Sequence, residues 1–396
     1  MVREHRQCPK SPATSAFSMS ANRHPRPARL PCMPRHTFRH RLRGRTRMNY
    51  TNHAAPQPNP HTTDTPQQHT GTPNPATADP LADDRRLAWV YFSQLCLGPC
   101  AELSELIASV GVLEAARAVR DNDLPHPLRR RSPDRHTADA AERDLERIER
   151  LGGRVVTPED PEFPTWRMLA LSQLDPDEDP TAAVPLVLWV RGSQSLSALT
   201  ERAVAIVGAR ASTAYGENVT GEVAAEMATQ GWSIVSDAGY GIAAAAHRAA
   251  LAAGGTTIAV LACGVDRPYP SQHERLLAHI AEEGLIVSEY PPGTTARKER
   301  FTTRHRILAA LADGVVVAEA GLRSGTRNTV QWARRLGRPA LAIPGPVTTA
   351  TSAGCHRMIR EGRATLATCT DDVLTELTPL RLASAAVTSN THIGMP

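Results

Sequence analysis

The sequence predicts an α/β fold whose main domain is built on a parallel sheet. Between residues 203 and 343, short apolar segments alternate with longer segments of helical periodicity. Apolar runs bounded by turn residues are typical of buried strands, and their alternation with helices is typical of a parallel sheet. The first unit, Ala203 to Ser236, contains a strand, a turn at Gly208, a helical segment and a second strand. We therefore expect a Rossmann-like sheet, preceded by a small helical domain and a disordered amino-terminal tail.

Residues 1–80 form the predicted disordered tail. They hold 13 of the 32 prolines and little apolar sequence that could pack. Residues 1–50 carry 12 of the 45 Lys and Arg residues but only one acidic residue. The net charge of +5 therefore comes from the tail and does not by itself indicate nucleic-acid binding. Contact with polyanions and simple solvation are both open for this segment.

A helical domain is predicted over residues 83–151, and a Rossmann-like domain over residues 152–377. In the first, Leu103, Leu106, Ile107 and Val110 recur at helical spacing after a Gly-Pro break. Short helices of this kind resemble helix-hairpin-helix or SAM-like modules, which bind DNA backbone or simply pack. The second domain opens with short strands that lead into the main sheet. Residues 378–396 are assigned to a tail.

Six strands and five helices are predicted to alternate in the main sheet. The strands are expected at 203–207, 233–236, 256–261, 285–288, 314–318 and 339–343. The helices are expected at 216–230, 241–253, 271–283, 303–312 and 326–337. Each crossover is long enough for a right-handed parallel connection. Ligands of such sheets bind at the carboxyl ends of the strands, so the functional residues are expected there.

The loop after the first of these strands contains residue types that bind phosphate. Gly208 permits a tight turn and close backbone approach, and Arg210 offers a planar guanidinium. Thr213 can cap the following helix or donate a hydrogen bond to an anion. The loop is not G-x-G-x-x-G, so no dinucleotide is expected. An ordinary β–α turn with a surface arginine is the alternative for this loop.

A second cationic segment follows the fourth of these strands. Lys298, Arg300, Arg304 and Arg306 surround the single aromatic ring of Phe301. Cations attract phosphates and an aromatic ring offers a stacking face to an exposed base, so this segment indicates single-stranded nucleic acid. A solvated, charged helix start is the alternative.

Neither a catalytic set nor a metal site is predicted, and no cofactor is expected. The seven cysteines lack zinc-binding spacing, and no histidine has a Ser or Cys nucleophile elbow near it. His247 is predicted to be a packed histidine. Asp266 and Glu289 are either a carboxylate pair or groups that cap helices and orient arginines. Because there is neither an apolar stretch of membrane length nor a secretory leader, a cytoplasmic protein is expected.

Six motifs in a fixed order resemble the DNA-processing protein A (DprA, Smf) family. They read VGAR-x-x-T-x-YG, SDAGYGI, ACGVDRPYP, SEYPPGT, F-x-x-RHRILAAL with a later SGT, and AIPGP with SAGCHRMIREG. The resemblance runs from about Arg86 to Leu377. It implies a Rossmann-like protein, not an enzyme, that binds single-stranded DNA and protects incoming strands in natural transformation. It also implies a homodimer that loads the RecA recombinase.

The resemblance assigns roles to individual residues. Gly208 and Arg210 fall on the family's phosphate-binding loop, and Lys298 lies near a DNA-contacting lysine of some members. The arginines of the family's F-P-x-R-N-R motif and its Ser-Gly turn correspond to four further residues here. With Thr213 and Phe301, the candidate DNA- and phosphate-binding residues are Gly208, Arg210, Thr213, Lys298, Phe301, Arg304, Arg306, Ser324 and Gly325.

Departures from the family pattern cluster around the expected site. Asp237 replaces a glycine, Ala243 replaces an aspartate, Tyr240 stands where a basic residue is frequent, and His305 replaces an asparagine. They remove a cation and a capping carboxylate, and so bear on DNA affinity more than on the fold. Two alternative functions are therefore kept. One is a nucleotide-type ligand sensor or nucleoside-processing enzyme on the same fold. Glu319 is the residue that best matches the glutamate of such enzymes. The other is a degenerate paralogue that serves protein contacts.

Overall fold

One nine-stranded sheet forms the centre of the protein. The structure, a computed structural model, describes residues 84–121, 138–176 and 178–377. The predicted tails, residues 1–80 and 378–396, lie outside this part. The strands are β1 (Gly153–Val156), β2 (Leu188–Arg191), β3 (Ala203–Val207), β4 (Ser233–Asp237), β5 (Thr257–Leu261), β6 (Leu285–Ser288), β7 (Gly314–Val317), β8 (Ala340–Ala342) and β9 (Thr365–Leu366). Their order in the sheet is β1-β2-β6-β5-β4-β3-β7-β8-β9.

Twelve helices that lie wholly within the described residues surround or extend this sheet. Four belong to the amino-terminal part: α1 (Arg85–Leu95), α2 (Ala101–Val110), α3 (Val112–Arg120) and α4 (Ala138–Arg150). The others are α5 (Thr165–Ser172), α6 (Leu196–Glu201), α7 (Ala214–Thr229), α8 (Ile242–Ala252), α9 (Glu274–Glu283), α10 (Lys298–Leu311), α11 (Thr326–Arg335) and α12 (Ala353–Arg360). Residues 370–377 are also helical.

The predicted Rossmann-like parallel sheet is confirmed. Strands β3 to β9 pair in parallel, whereas β1 and β2 add an antiparallel edge next to β6. All six predicted strands are present, with ends shifted by at most one residue. The largest difference concerns α10, which begins at Lys298 and not at residue 303. Its first turn carries polar residues at exposed positions, so apolar periodicity could not reveal where the helix starts.

Alternate residues of β3 pack into two different layers, as a buried strand requires. Ala203, Ala205 and Val207 belong to a cluster with α5, α10, α11 and α12. Val204 and Ile206 belong to a second cluster with α7, α8 and residues 370–377. The helices that follow β3 and β4 therefore cover one face, and those that follow β6 and β7 cover the other.

The helical amino-terminal part packs against the sheet. Trp89, Phe92 and Leu103 share a hydrophobic cluster with Trp189 of β2 and Leu261 of β5. α9 contributes to the same cluster through its apolar face. The apolar side of the first helices is therefore buried against the sheet. This is the packing role, one of the two alternatives given above for residues 83–151.

A buried ion pair joins α5 to the beginning of β7. Arg167, with no exposed surface, donates hydrogen bonds to Asp313 Oδ1 and Oδ2 at 2.7 and 2.8 Å. Arg167 Nε also donates to the Thr200 carbonyl at 2.8 Å, and the Ala203 N–H donates to Asp313 Oδ2 at 3.3 Å. The pair thus fixes the amino-terminal ends of β3 and β7 relative to α5.

We expect Arg167→Ala to lower the free energy of unfolding by about 3–5 kcal/mol, because it leaves the Asp313 carboxylate buried without its partner. The measurement is denaturant unfolding followed by circular dichroism. Arg85→Ala is the matched control, since it breaks a largely exposed pair with Glu159. That control should stay within about 1 kcal/mol of wild type. Equal losses in the two variants would contradict a structural role for the buried pair.

Candidate nucleic-acid interface

A crevice of about 500 Å³ opens where the strand order reverses. β3 pairs with β4 on one side and with β7 on the other, so the loops after β3 and β7 lead to opposite faces of the sheet. In open α/β sheets this topological switch point is where ligands bind. The crevice is lined by residues of four segments, namely Gly208, Arg210, Asp237, Tyr240, Ala243, Lys298, Phe301, Arg304, His305, Ser324, Gly325 and Thr326.

Two interlocked loops shape the floor of the crevice. The Ile242 N–H donates to the Ala209 carbonyl at 3.2 Å, which ties the loop after β3 to the start of α8. A Cβ atom at position 208 would lie 2.6 Å from Ile242 Cγ1, so only glycine allows this approach. Gly241 has a φ of 71°, which favours glycine, and a side chain there would meet the Ala209 carbonyl. Gly208 therefore serves close packing of the two loops as well as access to the crevice.

Arg210 and Lys298 are the exposed cations of the crevice. Arg210 lies in the loop after β3, and Lys298 is the first residue of α10; both line the opening. The Arg210 guanidinium carbon lies 5.3 Å from the centre of the Phe301 ring. Both side chains are free to meet an anion that enters from solvent.

Arg304 is also in the crevice, but its charge is already paired. It is buried, and its Nη2 donates to Asp237 Oδ2 in an ion pair. Asp237 Oδ1 accepts from the Gly239 N–H at 2.7 Å. Burial alone would raise the pKa of Asp237, but the Arg304 guanidinium and the Gly239 N–H bring it below the usual value. The carboxylate is therefore ionised at neutral pH and offsets the Arg304 charge.

Three aromatic rings form the wall beside these charges. Phe301 lies within cation–π distance of both Arg210 and Arg304, at 5.3 and 5.4 Å from ring centre to guanidinium carbon. The Tyr269 ring is tilted by 52° against Phe301 at a centroid distance of 5.2 Å. Tyr240 packs edge-on against His273 and donates its hydroxyl to Gln272. Tyr240 and Tyr269 are each more than two-fifths exposed, so their rings can meet a planar ligand.

The remaining candidates at the crevice belong to the loop before α11. Ser324 Oγ donates to Thr326 Oγ1 at 2.8 Å and accepts from the Thr326 N–H at 3.3 Å. Thr326 Oγ1 in turn donates to the Gly208 carbonyl at 3.3 Å. Gly325 precedes the helix, whose amino-terminal end faces the crevice and adds a partial positive charge there.

Arg306 is not part of the crevice, which corrects its predicted role as a phosphate contact. It has no exposed surface, donates to Glu289 in a buried ion pair, and donates through Nε to the Ala183 carbonyl at 3.2 Å. Residues two apart on an α-helix lie about 200° apart around its axis. Arg304 therefore reaches the crevice, and Arg306 points away from it. Glu289 orients an arginine, the second of the two roles predicted for it.

Thr213 also lies outside the crevice lining, and the structure gives it the capping role. Its Oγ1 accepts from the Gly216 N–H at 3.2 Å at the start of α7 and donates to Glu319 Oε1 at 2.6 Å. The Thr213 N–H donates to Glu319 Oε2 at 2.9 Å. Because the hydroxyl is already used twice, its predicted contact with an anion is not supported.

The structure thus brings seven of the nine candidate residues together and adds two that sequence reasoning missed. Tyr240 and Tyr269 were not predicted as stacking surfaces. The available signal was an aromatic residue in a loop after a strand, at Tyr269 between two prolines and at Tyr240 between two glycines. His247, predicted to be packed, is confirmed as fully buried, with hydrogen bonds to Thr257 Oγ1 and to the Asp237 carbonyl.

Two further observations concern the described residues only. They contain no group of three or more His, Cys, Asp or Glu side chains that could hold a metal ion. None of their helices combines the length and the apolar character that a bilayer crossing requires.

The family comparison and the related sequences agree on one family. Residues 154–378 match the family DNA recombination-mediator protein A. The chain belongs to this family. A DNA processing protein DprA of Mycobacterium tuberculosis is 46% identical over 294 residues, which cover 74% of this chain and 75% of that protein. The DprA of Streptococcus pneumoniae is 42% identical over 192 residues, 48% of this chain and 67% of that protein.

The fold is shared with a solved member of the family. The X-ray structure of Streptococcus pneumoniae DprA superposes with a TM-score of 0.58 at 30% identity, over 74% of this chain and 97% of that chain. The predicted membership of the DprA/Smf family is therefore confirmed. The crevice lies entirely within the residues that match the family.

The folded protein should lose stability as the pH falls from about 6.5 to about 4. Burial lowers the pKa of His247 to about 4, and burial together with the nearby Arg304 lowers the pKa of His305 to about 4. The unfolded chain takes up these two protons near pH 6.5, whereas the folded chain does not. Each histidine therefore contributes up to about 1.4 kcal/mol of lost stability per pH unit within this window.

The measurement is denaturant unfolding at several pH values, with wild type compared with His247→Gln and His305→Gln. Each variant should show a flatter acid dependence between pH 6.5 and 4 than wild type. Nuclear magnetic resonance titration of the two imidazoles gives an independent check. A protonation midpoint near 6.5 for either ring would contradict the prediction.

Proposed function

We propose that the protein is a single-stranded-DNA-binding member of the DprA family that acts by binding and not as an enzyme. The crevice holds the backbone of the strand, and the aromatic wall stacks against its bases. The observation that carries this proposal is the arrangement of two exposed cations, Arg210 and Lys298, with the ring of Phe301 at the topological switch point. Membership of a DNA-processing family supports the same ligand.

The chemistry of the lining favours a single strand over a duplex. Phosphates bind Arg210 and Lys298, and the helix dipole of α11 adds to their attraction. Base faces are hidden within a duplex but exposed in a single strand, so aromatic rings contribute only to binding of the single strand. Asp237 offsets one positive charge inside the crevice, which leaves the two exposed cations as the main electrostatic contribution.

The proposed cellular role is to protect incoming strands in natural transformation and to assist loading of the RecA recombinase, with the protein acting as a homodimer. The resemblance of the six sequence motifs to the family supports this role. Strands coated by the protein would be shielded from nucleases, and a dimer would present two crevices to one strand.

The alternative of a nucleoside-processing enzyme is less favoured. Its nearest candidate catalytic group, Glu319, is buried and does not line the crevice. The Glu319 carboxylate accepts hydrogen bonds from Thr213 and from Thr351 Oγ1, the latter at 3.0 Å. A carboxylate held in this way fixes two loops and does not face a ligand. Calorimetry with mononucleotides tests the related hypothesis of a nucleotide sensor, which requires tight mononucleotide binding without oligonucleotide binding.

Arg210→Ala and Lys298→Ala should each weaken binding of oligo(dT) and lower its dependence on salt. The slope of log K against log salt concentration should fall by about 0.7 for each variant, because each removes one phosphate contact with a single strand. Phe301→Ala should cost about 1–3 kcal/mol of binding free energy and leave the slope unchanged, because it removes a stacking surface and no charge. Fluorescence anisotropy of labelled oligonucleotides at several salt concentrations measures both quantities.

Arg202→Ala is the matched control for these variants. Arg202 is exposed but lies just before β3, at the opposite edge of the sheet from the crevice. It should bind oligo(dT) as wild type does. If Arg210→Ala and Lys298→Ala both bind like this control, the crevice is not the DNA site.

Asp237→Asn should have the opposite effect on binding from the variants above. The amide can still accept a hydrogen bond from Arg304, but it no longer neutralises the arginine, which then becomes available to a phosphate. Affinity for oligo(dT) should rise and the salt slope should increase by about 0.7. The free protein should lose about 1–3 kcal/mol of stability, since a buried charge loses its counterion.

Asp179→Asn serves as the control for this substitution. Asp179 forms a partly exposed ion pair with Arg335, at the other end of α11 from the crevice. Its affinity for oligo(dT) should be that of wild type. A loss of affinity in Asp237→Asn would show that the carboxylate is needed to hold Arg304 in place and does not compete with the ligand.

A further inference from the structure

A second cavity lies beside the crevice, and its lining is again cationic and aromatic. It has a volume of about 570 Å³ and lies between the loop after β5 and helix α4. We call it the side groove and define it by Arg147, Asp266, Arg267, Tyr269 and Thr295. None of these residues belongs to the candidate set that the sequence motifs supplied.

Tyr269 joins the side groove to the crevice. Its ring lines the side groove and also a narrow cavity of about 40 Å³, which Phe301 lines as well. Arg210 and Arg304 line both this narrow cavity and the crevice. Because each cavity shares residues with the next, the three form one depression along the carboxyl edge of the sheet.

Arg267 gives the side groove a positive charge that is available to a ligand. Its side chain is exposed, and within residues 84–121, 138–176 and 178–377 no carboxylate lies within ion-pair distance of it. The acidic residue of the groove, Asp266, is already neutralised. Its carboxylate accepts from Arg147 at 2.6 Å and from the Gly293 N–H at 2.8 Å, and its side chain is only 5% exposed.

Charged and aromatic side chains follow one another along the depression. Exposed cations, Arg267 in the side groove and Arg210 at the crevice, lie on either side of the paired rings of Tyr269 and Phe301. Tyr269 is 45% exposed, and the prolines on either side of it restrict the backbone that presents its ring. Cations take phosphates and rings take bases, so this alternation fits an extended single strand.

We propose that a single strand bound in the crevice continues over Tyr269 into the side groove, where Arg267 binds one of its phosphates. The proposal rests on the proposed function, because it extends the same binding site. An acidic protein segment would use the cation but not the exposed ring. A duplex would present phosphates, but its bases could not stack on Tyr269.

The experiment compares oligo(dT) of about 4 nucleotides with oligo(dT) of about 16 nucleotides, the range of site sizes known for single-strand-binding folds. Anisotropy titrations use the full chain as wild type, Arg267→Ala, Tyr269→Ala, Arg210→Ala and the control Arg202→Ala. The long oligonucleotide should lose about tenfold in affinity with Tyr269→Ala. With Arg267→Ala its salt slope should fall by about 0.7. The short oligonucleotide should bind Arg267→Ala as it binds wild type.

Several results would overturn the proposal, and they differ from failure of the proposed function. Suppose that Arg210→Ala weakens binding of both oligonucleotides while Arg267→Ala and Tyr269→Ala bind both as wild type does. The crevice is then supported as a DNA site, and the side groove is excluded. If Arg267→Ala weakens short and long oligonucleotides equally, Arg267 acts at the crevice and no continuing path exists. A duplex of equal length that binds as tightly and depends equally on Arg267 would also exclude the single-strand path. If the wild-type protein binds neither oligonucleotide, both the proposed function and the side-groove proposal are wrong.

Discussion

The reversal of strand order at β3 is the constraint on which the rest of the protein depends. The chain builds β4, β5 and β6 outward on one side of β3, returns through α10, and then builds β7 and β8 on the other side. The loops after β3 and β7 must diverge at this point because their helices cover opposite faces. An opening at the carboxyl edge of the sheet follows from this topology alone. Side chains decide only what the opening binds.

The arginines of α10 show how one helix serves both the core and the crevice. Arg306 is buried against Glu289, and Arg304 reaches the crevice against Asp237. A buried guanidinium without a carboxylate would cost several kcal/mol, so each of these positions requires its acidic partner. Arg210 and Lys298 have no such requirement because they are exposed. The positive charge of the region is therefore divided into charges that hold the fold and charges that are available to a ligand.

The sequence predicts the sheet well, because apolar runs and turn residues alone mark β3 to β8. It also predicts Gly208, Arg210 and Phe301 at the crevice, because strand ends meet at one edge. The sequence does not predict which carboxylate pairs with which arginine. Asp237 and Arg304 are 67 residues apart, and only the packing of α10 against the sheet brings them together. The error at Arg306 was avoidable. Helical geometry already separates it from Arg304, because the predicted helix over residues 303–312 contains both positions.

Two of the departures from the family pattern are compensated by neighbouring side chains in the structure. The motif lacks an aspartate at position 243, yet Asp237 brings a carboxylate into the same crevice from the end of β4. Gly239 makes this possible, since a Cβ atom there would lie 2.6 Å from Asp237 Oδ1. The expected loss of a carboxylate is therefore offset by Asp237, which is the counterion of Arg304. At Tyr240 a cation is exchanged for an aromatic ring that lines the crevice. Asp237 restores the carboxylate, whereas Tyr240 replaces a cation by a ring, so a strand bound there would depend less on salt and more on the faces of its bases.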